Sequence, residues 1–464
     1  MSATVPSELG EKNVRQLLMQ YAVPAIIAMT ASSLYNMVDS IFIGHIPGVG
    51  QYAISGLAVT FPLMNLSTAL GTLVGVGAST MLSVLLGQRN YKAAGKVLTN
   101  EFLLNIIIGL AFSVVTIAFL DPILLFFGAS ENTLPYARDY MLVILIGNVV
   151  THLYFGLNNV IRASGHPKMA MGLTIFTVLS NTILDPVFIF GFDMGIQGAA
   201  LATVICQCLS LAYALWFFFD QKNFLHFPAR LRDFRLDLRV AVDSLTIGMG
   251  PFLMNSAACI VTMLINQQLL KYGGDLAIGA YGIVNRFTFL FIMVNMGFNQ
   301  GMQPIAGYNF GARKYSRVKE VYRLTVFCAS AVSLLGFIVS EAIPGPAAAL
   351  FTSEPELKEL AVNGLRMMNI CLPLVGYQMV STNLFQCLGM VHKSILLSLL
   401  RQLLFLVPLI YFLPTFFGHI GVWLSFPVAD SLSVILTTIL VIRLIRKLRR
   451  LNDGDDPGIL GSKI

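Results

Sequence analysis

Apolar residues run along this chain in long, nearly uninterrupted blocks separated by short polar connections. The blocks lie near 16–43, 57–86, 97–119, 137–160, 167–190, 196–219, 239–270, 276–307, 320–342, 357–384, 393–413 and 418–445. Each approaches or exceeds the roughly 20 residues an α-helix needs to cross a bilayer. In hydrocarbon every backbone N–H and C=O must be satisfied within the protein, so a chain with this pattern spans as helices. The predicted fold is an all-α integral membrane protein with twelve transmembrane helices. The first block is far longer than the apolar core of a cleavable leader and lacks a cleavage site, so it reads as a span.

Composition agrees with this pattern. Of 464 residues, 56% are hydrophobic and only 11% are charged, against about 25% charged in soluble domains. So few charges cannot cover a water-facing surface, and most of the surface must face lipid. The net charge of +7 changes the picture through its placement. Basic residues crowd alternate connections: Lys12 and Arg15; Arg89, Lys92 and Lys96; Arg162 and Lys168; Lys222, Arg230, Arg232, Arg235 and Arg239; Arg313, Lys314, Arg317, Lys319 and Arg323; Lys393; and Arg443 to Arg450. The intervening connections hold only Arg138, Lys271 and Lys358. The positive-inside rule then puts both termini in the cytoplasm of a plasma (inner) membrane, with the bilayer rather than nucleic acid as the partner of the basic clusters.

The chain repeats weakly at a spacing of about 224 residues. Gly87-Gln88-Arg89-Asn90-Tyr91 recurs as Gly311-Ala312-Arg313-Lys314-Tyr315, Gly77 as Gly301, Gly165 as Gly389, and Gly195 and Gly198 as Gly418 and Gly421. Each match falls at an equivalent place in the order of spans. Six spans is an even number, so both copies share one orientation and relate by a pseudo-twofold axis along the membrane normal. The expected domains are an N-terminal six-helix bundle (1–219), a basic cytoplasmic connector (220–238), a C-terminal six-helix bundle (239–446) and a cytoplasmic tail (447–464). The tail, acidic and Gly-rich beyond Leu451, is expected to be disordered. One chain holds both halves, which favours a working monomer.

Carboxylates inside spans are costly and mark functional sites by default. Asp39 and Asp185 lie in the first and fifth blocks, each some five residues short of the outer end. At about 1.5 Å per residue both sit roughly 8 Å below the boundary. Asn181 precedes Asp185 by one helical turn, as Tyr35 precedes Asp39, and Thr203 of the sixth block reaches the same depth. Pro186 removes a backbone donor and is expected to hold Asp185 away from α geometry, loosening the Thr182 carbonyl. Asp39, Asn181, Asp185 and Thr203 therefore form either an oxygen cage for Na⁺ or a proton-binding carboxylate pair. The second half aligns Asn266 with Asp39 and apolar residues near Leu409 with Asp185, so the pair belongs to the first half alone. Asp430 is expected to pair with an intramembrane arginine, and Glu101 to be solvated near the cytoplasmic interface.

Phe and Met crowd the eighth block among Asn and Gln. Met64, Phe287, Asn295, Met296 and Asn299 are the candidate cavity residues, a soft apolar wall with a few amides that suits varied lipophilic cations. The six cysteines fall inside apolar blocks, which argues for packing rather than disulfides or a metal centre. No Gly-x-Ser-x-Gly, His-Glu-x-x-His or P-loop pattern is present, so neither an enzyme nor ATP coupling is indicated, and no cofactor beyond a coupling ion is expected.

Taken together, Tyr35 to Gly44, Gly87-Gln88-Arg89, Leu157 to Gly165, Asn181 to Pro186 and Gly195 to Ala200 resemble the multidrug and toxic compound extrusion (MATE) family, nearest its MepA-type multidrug export branch. The resemblance covers essentially the whole chain. It implies two six-helix bundles, alternating access, and export of small organic compounds against Na⁺ or H⁺ influx. Carried over by motif, it also implies a cation site of Asp39, Asn181, Asp185 and Thr203, with Tyr35, Asn36 and Asn158 in the surrounding network. The alternative is a lipid-linked precursor flippase of similar architecture, which requires a basic central cavity built from Arg286, Arg366 and Arg401.

Overall fold

The computed structural model describes residues 8–351 and 354–456, apart from the side chains of residues 36, 37, 51, 231 and 275. Among the described residues, ten helices are long and apolar enough to cross a membrane. They are the first span (Val14–Gly44), second (Tyr52–Gly87), third (Tyr91–Ala118), fifth (Pro167–Gly191), sixth (Gly195–Phe219), seventh (Leu238–Gly274), eighth (Leu276–Gly311), ninth (Tyr315–Ala342), eleventh (Val391–Phe417) and twelfth (His419–Arg450). The fourth is a broken pair, Leu134–Ile146 and Asn148–Ala163, bent by 56° at Gly147. The tenth is also two helices, Pro355–Asn369 and Leu372–Cys387. Its first half carries Glu356, Lys358, Glu359 and Arg366 and is the least apolar piece.

The duplicated motifs turn out to be duplicated geometry. Arg89 (φ 60°) and Arg313 (φ 58°) both take left-handed backbone at the end of the second and eighth spans. The closing hydrogen bonds match in kind: Arg89 N to Leu86 O (3.1 Å) and Asn90 N to Leu85 O (2.9 Å), then Arg313 N to Phe310 O (3.0 Å) and Lys314 N to Asn309 O (2.8 Å). These are left-handed caps that satisfy the orphan carbonyls of a helix end. Gly165 and Gly389 close the fourth and tenth spans in the same way, with φ of 101° and 68°.

The two copies start their next helix differently. Asn90 caps the third span with its own side chain, accepting from Ala93 N at 3.2 Å. Lys314 provides no side-chain cap to the ninth span. There Asp453 of the tail takes the place, accepting from Ser316 N at 2.9 Å and from the Ser316 hydroxyl. Gly454 N donates to Arg313 O at 2.9 Å and Tyr315 Oη to Asp455 O at 2.9 Å. The expectation of a disordered tail thus fails for residues 451–456, because a helix N-terminus with unmet donors attracts a carboxylate.

Packing separates two compact units, one built on Ile27–Phe252 and the other on Gly10–Ile26 with the chain from Leu253 onward. These are not the halves as delimited in sequence. The first half of the first span packs with the second unit, and the start of the seventh packs with the first. Glycine makes both arrangements possible. In the first unit a methyl at Gly77 would lie 2.0 Å from Ser244 O, and one at Gly248 would lie 1.8 Å from Leu73 O. In the second, methyls at Gly301 and Gly297 would lie 2.7 Å from Ala22 Cα and 2.8 Å from Ile26 Cα. The connector is anchored in the first unit by Phe227, fully buried among Phe102, Phe218, Phe219 and Phe234.

Candidate cation site

Pro186 stays within the fifth span, and Asp185 keeps helical geometry. The predicted disturbance at Asp185 does not occur there. It appears just beyond, where Val187–Gly191 forms a π turn. There Phe192 N donates to Val187 O at 2.9 Å, a turn one residue wider than an α-helix.

On this helix Asn181 and Asp185 share a face, and both are buried, at 1% and 0% exposure. Asn181 Nδ2 donates to Asp185 Oδ1. Asn181 Oδ1 accepts from Thr203 Oγ1 of the sixth span at 3.2 Å, and Thr203 also reaches Ala199 O at 3.1 Å. Tyr35 Oη of the first span lies 3.0 Å from Thr203 Oγ1. Thr203 has a single hydroxyl proton, and both carbonyl neighbours can only accept it. The Tyr35 proton must therefore point at Thr203. Tyr35 thus donates to Thr203, whose one proton is shared between Asn181 Oδ1 and Ala199 O, and Asn181 donates to Asp185.

Asp39 is buried on the first span and close enough to Asp185 for their charges to interact. Asp39 Oδ1 and Asp185 Oδ2 are buried with no hydrogen-bond partner, and neither carboxylate has an ion-pair partner among the described residues. Two neighbouring carboxylates in a low-dielectric interior repel strongly unless a cation or proton neutralises one. Tyr140, 2% exposed on the fourth span, lies near enough to sense both charges. It carried no signal in the sequence beyond being an aromatic residue in an apolar block.

The structure therefore brings Tyr35, Asp39, Asn181, Asp185 and Thr203 together within the first unit. Asn158 lies elsewhere: its Nδ2 donates to Ala170 O (3.0 Å) and its Oδ1 accepts from Arg162 (3.3 Å). The side chain of Asn36 lies outside the described residues. Of the candidate cavity residues, Met64 packs against the core of the first unit and accepts from Thr60 Oγ1 at 3.7 Å. Phe287 belongs to the core of the second unit, and Asn295, fully buried, donates to Ser333 Oγ at 2.8 Å. Both are taken up by packing between helices of that unit. Met296 is half-buried, and Asn299 accepts from Asn383 at 3.0 Å through its backbone. Asp430 pairs with Arg401, as the sequence suggested, and both Arg286 and Arg366 are exposed.

The MatE family profile matches residues 24–187 and again 250–412, once in each half. Multidrug export protein MepA of Staphylococcus aureus (strain MSSA476) is 28% identical over 433 residues, covering 93% of this chain and 94% of that protein. MepA of Staphylococcus haemolyticus (strain JCSC1435) is 26% identical, covering 94% and 95%. A solved structure described as the outward-facing conformation of a multidrug resistance MATE family transporter of the MOP superfamily superposes with a TM-score of 0.89 at 23% identity, covering 97% of this chain and 99% of that one.

Proposed function

Since this chain belongs to the MatE family, we propose that it is a secondary antiporter that exports lipophilic, often cationic, organic compounds in exchange for Na⁺ or H⁺ by alternating access. Multidrug export is the activity its similar proteins are named for. The crowding of basic residues in alternate connections supports a plasma-membrane protein with both termini in the cytoplasm.

The coupling rests on one observation: two neighbouring buried carboxylates, each with an unpartnered oxygen, one of them, Asp185, held by a hydrogen-bond network through Asn181, Thr203 and Tyr35. With both carboxylates charged the site lacks a positive partner. One proton or one Na⁺ supplies it. For Na⁺ the donors are Asp39 Oδ1 and Asp185 Oδ2, hard oxygens of the kind such ions prefer. For H⁺ the pair shares one proton, and Asn181 holds the ionised partner. Neutralising the pair changes the energy of burying it, which is how ion binding biases one conformation over another. Asp39→Asn and Asp185→Asn each keep the shape and remove the charge. Drug efflux is expected to be lost in both, and wild-type efflux in both variants would refute the mechanism.

The flippase alternative needs free cationic charge in the interior. Arg401 is neutralised by Asp430, and no observation favours that reading.

A further inference from the structure

The third and fourth spans of the first unit run antiparallel in close register. Ser113 Oγ donates to Leu145 O at 2.8 Å and Asn148 Nδ2 to Gly109 O at 3.3 Å. One turn further on, His152 faces the third span: a methyl at Gly109 would lie 3.4 Å from His152 Nδ1. One turn beyond that, the missing side chain of Gly156 makes room for Glu101 and Asn105. A methyl there would lie 1.8 Å from Glu101 Oε1 and 2.4 Å from Asn105 Nδ2. Glu101, Asn105 and His152 are all buried, at 1%, 0% and 0% exposure. Glu101, expected from sequence to be solvated, is therefore sealed between helices.

Hydrogen bonding fixes what each group still lacks. Asn105 Nδ2 donates to Glu101 Oε1 at 2.5 Å and to Glu101 O at 3.1 Å. Ser67 Oγ donates its one proton to Asn148 Oδ1 at 2.5 Å. The contact of Ser67 Oγ with His152 Nε2 at 3.2 Å must then be donated by the imidazole. Neutral His152 is thus the Nε2–H tautomer, and its Nδ1 presents a lone pair towards the third span. Three buried atoms remain without partners: Glu101 Oε2, Asn105 Oδ1 and His152 Nδ1. All three are acceptors when Glu101 is ionised, so the cluster lacks a hydrogen rather than an acceptor.

We propose that Glu101, Asn105 and His152 form a second, buried proton-binding site of the first unit, distinct from the Asp39–Asp185 pair. One proton on Glu101 Oε2 gives the cluster its missing donor, while Asn105 holds the carboxylate through Nδ2 and keeps Oδ1, like His152 Nδ1, free to accept. No ion pair competes among the described residues. Lys96 is engaged by Asp237 at 3.3 Å, and Arg162 donates to Asn158 and Asn159 at 3.3 Å each. The second span contributes Ser67, Gly71 and Gly75 on this side and no ionisable group near them. Other titratable side chains on the packed elements are Tyr91 and Lys92 at the start of the third span, Tyr136, Arg138, Asp139, Tyr140 and Tyr154 on the fourth, Lys168 and Asp185 on the fifth, Cys206, Cys208 and Tyr213 on the sixth, and Arg239 and Asp243 at the start of the seventh. The site concerns proton occupancy alone and does not depend on which ion Asp39 and Asp185 bind.

The test is infrared difference spectroscopy of the full chain in proteoliposomes during a pH titration, reading the carbonyl stretch of protonated carboxylic acids. To isolate this site the titration is run on Asp39→Asn/Asp185→Asn protein. A band that disappears on alkalinisation, and is absent after Glu101→Gln, is expected. Asn105→Leu and His152→Gln should each move its midpoint by about one pH unit or more, since hydrogen bonds to charged groups carry roughly that much free energy. If Glu101→Gln fails to fold, these two variants decide the matter alone. A Glu101 band that stays constant at every pH, no band at all, or a midpoint indifferent to both neighbours overturns the proposal. Drug efflux judges the Asp39–Asp185 reading separately.

Discussion

Glycine at the helix crossings is the clearest place to test the architecture with one methyl group. In the first unit Gly248 sits against the Leu73 carbonyl, and an added Cβ would lie 1.8 Å from that oxygen and 2.8 Å from its carbon. Ordinary contact begins near 3.4 Å. Both partners are backbone, so no rotamer change can relieve the clash, and the helices must part locally by roughly 1.5 Å. Overpacking of this kind costs about 1–3 kcal/mol. Gly172, in the second turn of the fifth span, is the internal control, because a methyl there meets nothing within 4 Å. Gly172→Ala should instead stabilise by about 0.4–1 kcal/mol through reduced freedom of the unfolded chain. The two alanine variants are therefore expected to differ by roughly 1.5–4 kcal/mol in opposite directions from wild type. Thermal unfolding of detergent-solubilised protein reads this as a lowered transition for Gly248→Ala and an equal or raised one for Gly172→Ala. Identical transitions for both would show that the helices do not approach as described.

Other consequences are equally direct. Asn181→Leu removes the donor held by Asp185, while Thr203 keeps Ala199 O as an acceptor; the ion-free protein should lose about 1.5–3 kcal/mol, typical of a hydrogen bond to a charged group. That deficit should shrink at saturating coupling ion, and a deficit independent of ion would remove Asn181 from the site. Asp453→Ala should destabilise the start of the ninth span by about 0.5–2 kcal/mol, as other helix caps do, read as faster amide exchange at residues 315–318; unchanged exchange would show that the tail does not cap it. The Asp453 carboxyl is itself held below the ordinary range: partial burial pushes it up, but hydrogen bonds from the Ser316 hydroxyl and amide, with Lys319 nearby, outweigh this. Its contribution is therefore complete above the ordinary carboxylate range and lost as pH falls through the lower folded value, so the tail should detach on acidification and not on alkalinisation.

Much of this was legible because membrane chemistry writes in large letters. Span positions follow from the need to satisfy backbone groups in hydrocarbon. The repeat was visible because its markers, Gly77, Gly165, Gly195 and Gly198 with their partners, occupy turns and close crossings where little else fits. Asp39 and Asp185 stood out because charge in a span is rare, and depth arithmetic put Asn181 and Thr203 beside them. What stayed hidden depends on contacts between distant segments. Tyr140 looks like any aromatic in an apolar run. His152 and Glu101 lie 51 residues apart and meet only through the register of two antiparallel helices. The break at Gly147 was invisible because the apolar run continues across it. Asp453 reads as tail chemistry until the uncapped helix at Lys314 is placed next to it. Pro186 misled because the helix runs through it, and the irregular turn begins only at Val187.

The central claim is that a gradient of Na⁺ or H⁺ drives drug out through the Asp39–Asp185 site. Ethidium efflux from proteoliposomes of controlled orientation, driven in turn by a Na⁺ gradient and a pH gradient, tests it most directly. The account predicts efflux under at least one gradient, abolished by Asp39→Asn. Efflux that persists in Asp39→Asn, or none under either gradient with the wild-type protein correctly inserted, would contradict it.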